Sequence, residues 1–280
     1  MIKETELIIR DNGAIYHLNA RPGEVAETII LVGDPGRVER VSKHFDRIEH
    51  KTSNREFVIH TGYIGTKRLS TISTGIGTDN IDIVLNEVDA LFNFDFETRE
   101  QKKDLKSLSF IRIGTSGSFR SNIQPDAQVF AAYGMGLDTL NVFYEDADKV
   151  SEPVVLKDQN KALNAYVVKG SEELMSRIAG DNVQGITLTA AGFYGPQSRE
   201  LRLKPAFSDL YSLIEEFKYN NYVCTNMEME TSAIYLLSAL LGHKALSCNA
   251  ILANRVTGEF SSNPREGVNR LIKYVLEKIT

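Results

Sequence analysis

Cysteine is scarce in this chain. Its 280 residues include only Cys224 and Cys248, which supply neither a disulfide framework nor the spacing of a metal site. Long apolar runs are missing as well, since no stretch approaches the roughly eighteen residues that a membrane helix needs. No leader-like segment opens the chain, so a cytoplasmic protein is expected. An excess of positive charge is also lacking: 32 Lys and Arg stand against 37 Asp and Glu, for a formal net charge of -5. Proteins that bind a phosphate backbone carry a basic face, so no nucleic-acid partner is expected and any anion site must be local. There are no internal repeats. What remains, 42% hydrophobic and 25% charged residues, describes an ordinary globular chain, expected to form one domain over residues 1–280.

The apolar patterning alternates strands with helices. Thr28 to Val32 reads as a strand running into Gly33-Asp34-Pro35-Gly36-Arg37, and Val38 to Phe45 then has helical period. Such a junction presents backbone N–H groups and the positive end of a helix dipole, a seat for phosphate to which Arg37 adds full charge. A plain tight turn with a solvated arginine fits the same residues. Asp46 to Thr52 is expected as an edge strand, Ser53-Asn54-Arg55 as a connection, and Glu56 to Ile64 with Leu69 to Ser73 as a hairpin. Thr74-Gly75-Ile76-Gly77-Thr78 leads into a helix from Asp79 to about Asn93, with Ile81, Val84, Leu85, Val88, Leu91 and Phe92 on one face. Asp95 to Ser107 is nearly all charged or polar and reads as a solvated insertion. In the first twenty-five residues, Tyr16-His17-Leu18 is the one compact apolar feature.

Ser109 to Phe119 reads as a buried strand closed by a Gly114-Thr115-Ser116-Gly117 turn, with Arg112 beside it. In a parallel sheet the carboxyl ends of strands form the ligand crevice, so this stretch offers an anion a cation, hydroxyls and backbone N–H groups together. Gln128 to Tyr133 is a further strand, Asp138 to Asp158 an irregular acidic stretch, and Asn160 to Ala179 a helical pattern interrupted near Gly170. Val183 to Ala191 is β-rich and Tyr211 to Lys218 a short helix. Asn226 to Ala233 opens a helix that runs to about Leu241. Lys244 to Ala253 is a strand and Pro264 to Ile279 an amphipathic helix. Together they give an α/β sandwich around a mixed sheet.

Arg37, Arg55 and Arg112 each sit in or beside an expected turn. Hydrogen bonds to charged groups contribute about 1.5–3 kcal/mol each, so three such arginines on one phosphate suffice for millimolar or better capture. Glu228 and Glu230 flank Met229 where a helix begins. Attraction to a helix N-terminus explains carboxylates there, and so does a ribose, because one carboxylate accepts hydrogen bonds from both hydroxyls of a vicinal diol. Gln197 and Arg199 stand two residues apart beside Phe193 and Tyr194, an arrangement suited to a planar ring bearing amide groups.

Five ordered motifs then carry a family resemblance: Gly33-Asp34-Pro35-Gly36-Arg37, Asn54-Arg55-Glu56-Phe57, Ser73-Thr74-Gly75-Ile76-Gly77, Arg112-Ile113-Gly114-Thr115 and Met227-Glu228-Met229-Glu230. From about Tyr16 to the C-terminal helix the chain resembles the nucleoside phosphorylase-I family. Phe193-Tyr194-Gly195-Pro196-Gln197-Ser198-Arg199 is most similar to its uridine-cleaving members. The resemblance implies a three-layer α/β/α sandwich around a mixed central sheet. It implies a phosphate site of Gly33, Arg37, Arg112 and Thr115, with Arg55 reaching in from a neighbouring subunit. It implies a ribose site of Met229 and Glu230 with Glu228 nearby, and His17 lent by the neighbour toward the 5′-hydroxyl. Gln197 and Arg199 match the uracil-reading pair, Phe193 an aromatic of the nucleoside pocket, and Arg255 stands where it can assist through a carbonyl or a water. Arg112, Gln197, Arg199 and Glu230 are the implied catalytic residues.

The chain departs from the family in three places. Gly195-Pro196 inverts a Pro-Gly order, Asn80 replaces a serine found near a monovalent-cation site in some members, and the insertion from Asp95 to Ser107 has no assigned role. No cofactor or metal is expected, inorganic phosphate being the co-substrate, and a homo-oligomer, dimer or hexamer of dimers, is. The implied activity is reversible phosphorolysis of uridine, with a purine or broad-specificity phosphorylase, a hydrolytic nucleosidase and a non-catalytic nucleoside binder as alternatives. Purine-specific members carry an aspartate near Ile251 to Val256, where this chain has none.

Overall fold

The computed structural model describes residues 1–158, 161–207 and 210–280. The first half contains β1 (Thr28–Val32), α1 (Pro35–Ser42), β2 (Arg47–Asn54), β3 (Phe57–Ile64), β4 (Lys67–Ser73) and α2 (Thr78–Asn93). A small hairpin of β5 (Phe94–Asp95) and β6 (Glu100–Gln101) precedes β7 (Ser109–Ser118) and β8 (Gln128–Gly136). Then follow α3 (Ala147–Val150), β9 (Ser151–Asp158), β10 (Lys161–Lys169), α4 (Glu172–Ile178) and β11 (Val183–Thr189). The chain closes with α5 (Leu210–Glu215), β12 (Lys218–Tyr219), β13 (Tyr222–Glu228), α6 (Thr231–Leu240), β14 (Lys244–Asn254) and α7 (Pro264–Ile279).

The large sheet runs β12-β13-β11-β8-β14-β7-β1-β4-β3-β2, with β9 and β10 attached through β8. It is mixed: β1 pairs parallel with β4 and β7, whereas β2, β3 and β4 are antiparallel. Because β13 also pairs with β7, Asn226 opposite Ser118, the path β7-β14-β8-β11-β13 closes on itself. Successive strand residues point to opposite faces, and both faces here are covered. On β1, Ile29 and Leu31 join the core under α2 and α6, while Ile30 and Val32 join the core under α1, α4 and α7. Phe110 and Ile111 divide in the same way on β7, so Arg112, two residues after Phe110, belongs to the α6 side. This is the three-layer sandwich around a mixed sheet that the resemblance implies.

Several expectations are corrected. Gly114-Thr115-Ser116-Gly117 is not a turn but the last part of β7, paired along its length with β14. The segment expected as a helix from Asn160 to Ala179 is a strand followed by a short helix; Asn160 itself lies outside the described residues. Its alternation decides the matter: Tyr166 and Val168 enter one core, Ala165 and Val167 another. The stretch from Asp138 to Asp158 contains a 3-10 turn, α3 and β9 rather than irregular chain. The helix expected from Asn226 starts at Thr231, since Asn226 to Glu228 finish β13. The opening residues contribute more than Tyr16-His17-Leu18, because Leu7, Ile15, Ala20 and Val25 join the core with Leu18. The charged insertion folds back as the β5–β6 hairpin and binds the N-terminus, Ile2 donating its N–H to the Arg99 carbonyl.

Candidate active site

A cavity of about 790 Å³ opens where the parallel strands end. Gly33 after β1, Gly75 and Ile76 after β4, Thr115 to Gly117 on β7, Met227 to Glu230 where β13 ends, and Leu252 with Ala253 on β14 all line it. Phe193, Gln197 and Arg199 complete it from the β11 side, and Phe260 from the loop beyond β14.

At the β1–β4 side, Asp34 caps α1 by accepting from the Gly36 N–H at 2.9 Å, with Pro35 in the first helical turn. This sets Arg37 facing the cavity, where Nη1 donates to the Ile113 carbonyl at 3.1 Å. Its Nε is shielded from solvent and has no partner among the described residues. Burial first, and then the nearby Arg112, lower the Arg37 pKa to about 10. Gly75 has φ 70, and a Cβ there would stand 2.4 Å from Asn80 Nδ2, so only glycine lets this loop pass against Gly33 and Asn80.

Arg112 is almost wholly buried. Its Nη1 donates to Asn249 Oδ1 at 2.9 Å, and its Nη2 donates to Glu230 Oε2 and lies 3.1 Å from Glu228 Oε2. Burial opposes its charge, but the two carboxylates outweigh that, and the guanidinium pKa is raised. Gly114 makes room for the arrangement, since a Cβ there would stand 1.6 Å from Arg112 Nη1.

The two glutamates have different occupations. Glu228 accepts from Thr189 Oγ1 at 2.8 Å and from the backbone N–H groups of Glu230 and Thr231 at 3.0 Å. It therefore serves the open N-terminus of α6, whose N-cap residue, Glu230, makes no side-chain cap of its own. Burial raises the Glu228 pKa, Arg112 pulls it down and Glu230 pushes it up again, leaving it above the ordinary carboxylate range. Glu230 is turned the other way, accepting from the Gly77 N–H at 2.8 Å through Oε1 and from Arg112 through Oε2.

At the β11 side, a 3-10 turn over Gly195–Gln197 and a left-handed Ser198 bring Gln197 and Arg199 together. Gln197 is buried, and its Oε1 accepts from Arg199 Nη1 at 2.6 Å. The Arg199 guanidinium stacks 3.8 Å from the centre of the Phe193 ring and donates to the Phe193 carbonyl at 2.8 Å. Its pKa is lowered by burial and by Arg255. Arg255 itself stands 5.2 Å from the Tyr211 ring centre, behind the cavity lining.

The sequence profile of the Phosphorylase superfamily matches residues 27–279, a span that contains every residue lining the cavity. The chain belongs to this superfamily. A uridine phosphorylase of Thermococcus kodakarensis is 28% identical over 252 residues, 89% of this chain and 81% of that protein. A DeoD-type purine nucleoside phosphorylase of Caldanaerobacter subterraneus subsp. tengcongensis is 28% identical over 247 residues, 88% of this chain and 90% of that one. Among solved structures, a Trypanosoma brucei nucleoside phosphorylase described as showing uridine phosphorylase activity superposes with a TM-score of 0.83 and 28% identity. That match spans 98% of this chain and 99% of the other.

In this member of the Phosphorylase superfamily, Gly33, Arg37, Arg112, Thr115, Phe193, Gln197, Arg199, Glu228, Met229 and Glu230 meet around one cavity. His17, Arg55 and Arg255 do not line it. His17 and Arg55 lie near each other instead. His17 Nδ1 is 2.6 Å from Glu87 Oε1, Asn54 donates to the His17 carbonyl, and exposed Arg55 stands 6.0 Å from the Tyr16 ring centre. Sequence reasoning missed Asp34, Glu56 and Phe260 in the lining. The first two lie inside motifs already singled out, one as a helix cap and one beside Arg55. Phe260, 77% exposed with no periodic pattern around it, offered no signal. Among the described residues no cluster of His, Cys, Asp or Glu has the makings of a metal site.

Proposed function

We propose that this protein is a uridine phosphorylase, splitting uridine with inorganic phosphate into uracil and ribose 1-phosphate. The observation that carries the reading is that one cavity holds two chemically distinct ends. Gln197 and Arg199 stand at one, and Arg37 and Arg112 with Glu230 at the other. Glycosidic cleavage develops positive charge on the ribose and negative charge on the departing base. Phosphate held by Gly33, Arg37, Arg112 and Thr115 stabilises the first as it attacks C1′, and Arg199, preset on Phe193 and Gln197, stabilises the second. Glu230, with one oxygen on Gly77 and the other on Arg112, takes the ribose hydroxyls, and Met229 packs beside the sugar. Glu228 is assigned the support of that residue through the α6 N-terminus. Positioning and preorganised charge carry the catalysis, with phosphate as the nucleophile.

The pyrimidine assignment rests on Gln197, which both donates to and accepts from an imide edge, and on Arg199, which donates to a carbonyl. It is supported by the strand end where an acid would serve a purine. Residues Ile251 to Val256 include no carboxylate, and Asn254 is occupied, its Nδ2 donating to the Arg120 and Ile123 carbonyls and its Oδ1 accepting from Val256 and Thr257. Arg255 lends long-range positive potential to a departing uracil anion, since it already depresses Arg199.

The active form is assigned to a homo-oligomer in which a second copy supplies His17 and Arg55. Both stand outside their own cavity, and Ile76, on the cavity rim, is 69% exposed, as a surface awaiting a partner would be. The decisive experiment is uracil release from uridine with and without phosphate. Phosphate-dependent release supports the proposal; full activity in phosphate-free buffer would make the enzyme a nucleosidase, and binding without turnover would make it a nucleoside carrier.

A further inference from the structure

We infer that Asn249 is a positioning residue that aims Arg112 at phosphate with a neutral acceptor; this rests on the phosphorolytic reading above. Asn249 lies on β14 opposite Gly114 on β7, and Ser247 lies opposite Arg112. Asn249 is fully buried and does not line the cavity. A guanidinium only donates, so the Asn249 carbonyl oxygen must be the atom facing it, 2.9 Å from Nη1. The amide nitrogen then donates to Ser247 Oγ at 3.2 Å. Ser247 Oγ also accepts from Thr231 Oγ1 at 2.8 Å, the Thr231 N–H donates to Glu228, and Glu228 returns to Arg112 Nη2 at 3.1 Å.

Four hydrogen bonds and the Arg112–Glu228 ion pair thus close a buried ring through Arg112, Asn249, Ser247, Thr231 and Glu228. Every member is at most 5% exposed, so water cannot substitute for a missing partner. Within the ring Asn249 has one distinctive property. Arg112 already faces two carboxylates, and a third would leave the site with excess negative charge where an anion must bind. An amide fixes the guanidinium edge and adds no charge.

The test measures the KM for phosphate and the KM for uridine separately in Asn249→Ala, Asn249→Asp and Arg112→Ala, with thermal unfolding to confirm folding. Asn249→Ala is expected to raise the phosphate KM about tenfold, the loss of roughly one hydrogen bond to a charged group, and to leave the uridine KM within about twofold. Asn249→Asp keeps the shape and adds a charge, and should raise the phosphate KM further. A folded Asn249→Ala with an unchanged phosphate KM, or with both KM values raised equally, overturns the inference. Should the alanine variant not fold, the near-isosteric aspartate decides: a selective rise in phosphate KM sustains the positioning role, and none ends it. If Arg112→Ala leaves the phosphate KM unaltered, the phosphate assignment fails first, a result distinguishable from failure of Asn249 alone.

Discussion

Arg112 Nη2 lies 3.1 Å from Glu228 Oε2 with both side chains almost wholly buried, and the same nitrogen donates to Glu230. One guanidinium edge is shared by two carboxylates that face different neighbours, so neutralising each should have a different effect. Glu228→Gln takes the charge from the acceptor of the Glu230 and Thr231 N–H groups. It is expected to cost about 1–3 kcal/mol of stability in urea unfolding. Glu230→Gln should unfold closer to wild type while lowering kcat/KM for uridine by roughly a hundredfold, the scale of a lost preorganised contact. Equal losses of stability in the two variants would contradict this division.

The lowered pKa of Arg37 sets an alkaline limit. A guanidinium that loses its proton near pH 10 is charged below that value and neutral above it. Phosphate affinity, measured by calorimetry without nucleoside, should therefore fall as pH rises through about 10, and Arg37→Gln should bind weakly at every pH and lack the limb. An acid limb is expected from Glu228, whose raised pKa means protonation, as pH falls, before ordinary carboxylates are reached. The rate should decline there because a protonated Glu228 no longer offsets the charge of Arg112.

The strands that build this site were legible because their alternation divides residues between two covered faces, as with Ile29 and Ile30 on β1. Four residues near the end of the site's own strand were not. Gly114 to Gly117 have turn composition, and the reason Gly114 is a glycine lies in Arg112, whose Nη1 occupies the place of its side chain. Sequence spacing shows a glycine but not the side chain two residues earlier that requires it. Glu228 and Glu230 were both legible as site residues, yet their separate roles depend on where β13 ends and α6 begins, and apolar residues around them suit either element. Asn249 was invisible for the same reason. On a stretch of strand buried from Ala245 to Ile251 an asparagine has no periodic signature, and its partner is 137 residues away.

Base selection should respond to Arg199. Replacing it with Ala removes the donor to Gln197 Oε1 and the cation stacked on Phe193. The expected outcome is a drop of roughly a hundredfold in kcat/KM for uridine, mostly in kcat. In the wild-type protein kcat/KM with phosphate should rank uridine above cytidine and inosine. Inosine matching uridine would refute the pyrimidine assignment and leave phosphorolysis standing.

Shared sites should be revealed by mixing chains. Arg55→Ala and Glu230→Ala are each expected to be nearly inactive. Co-refolded in equal amounts they should regain a fraction of wild-type turnover, because some cavities then receive an intact Glu230 from one copy and an intact Arg55 from the other. No recovery, together with a fully active monomer by light scattering, would place Arg55 outside the reaction.

The cavity is built from two kinds of backbone. Arg112 and Glu228 sit on strands and are tied into a closed, buried ring of hydrogen bonds and one ion pair, where one changed side chain leaves its neighbours unpaired. Phe193, Gln197 and Arg199 sit on a turn beyond the sheet, where substitutions leave the strand pairing intact. Under selection, then, this scaffold should diversify the base it accepts far more readily than the nucleophile it employs. Natural variants with altered substrate preference should carry their changes in that turn.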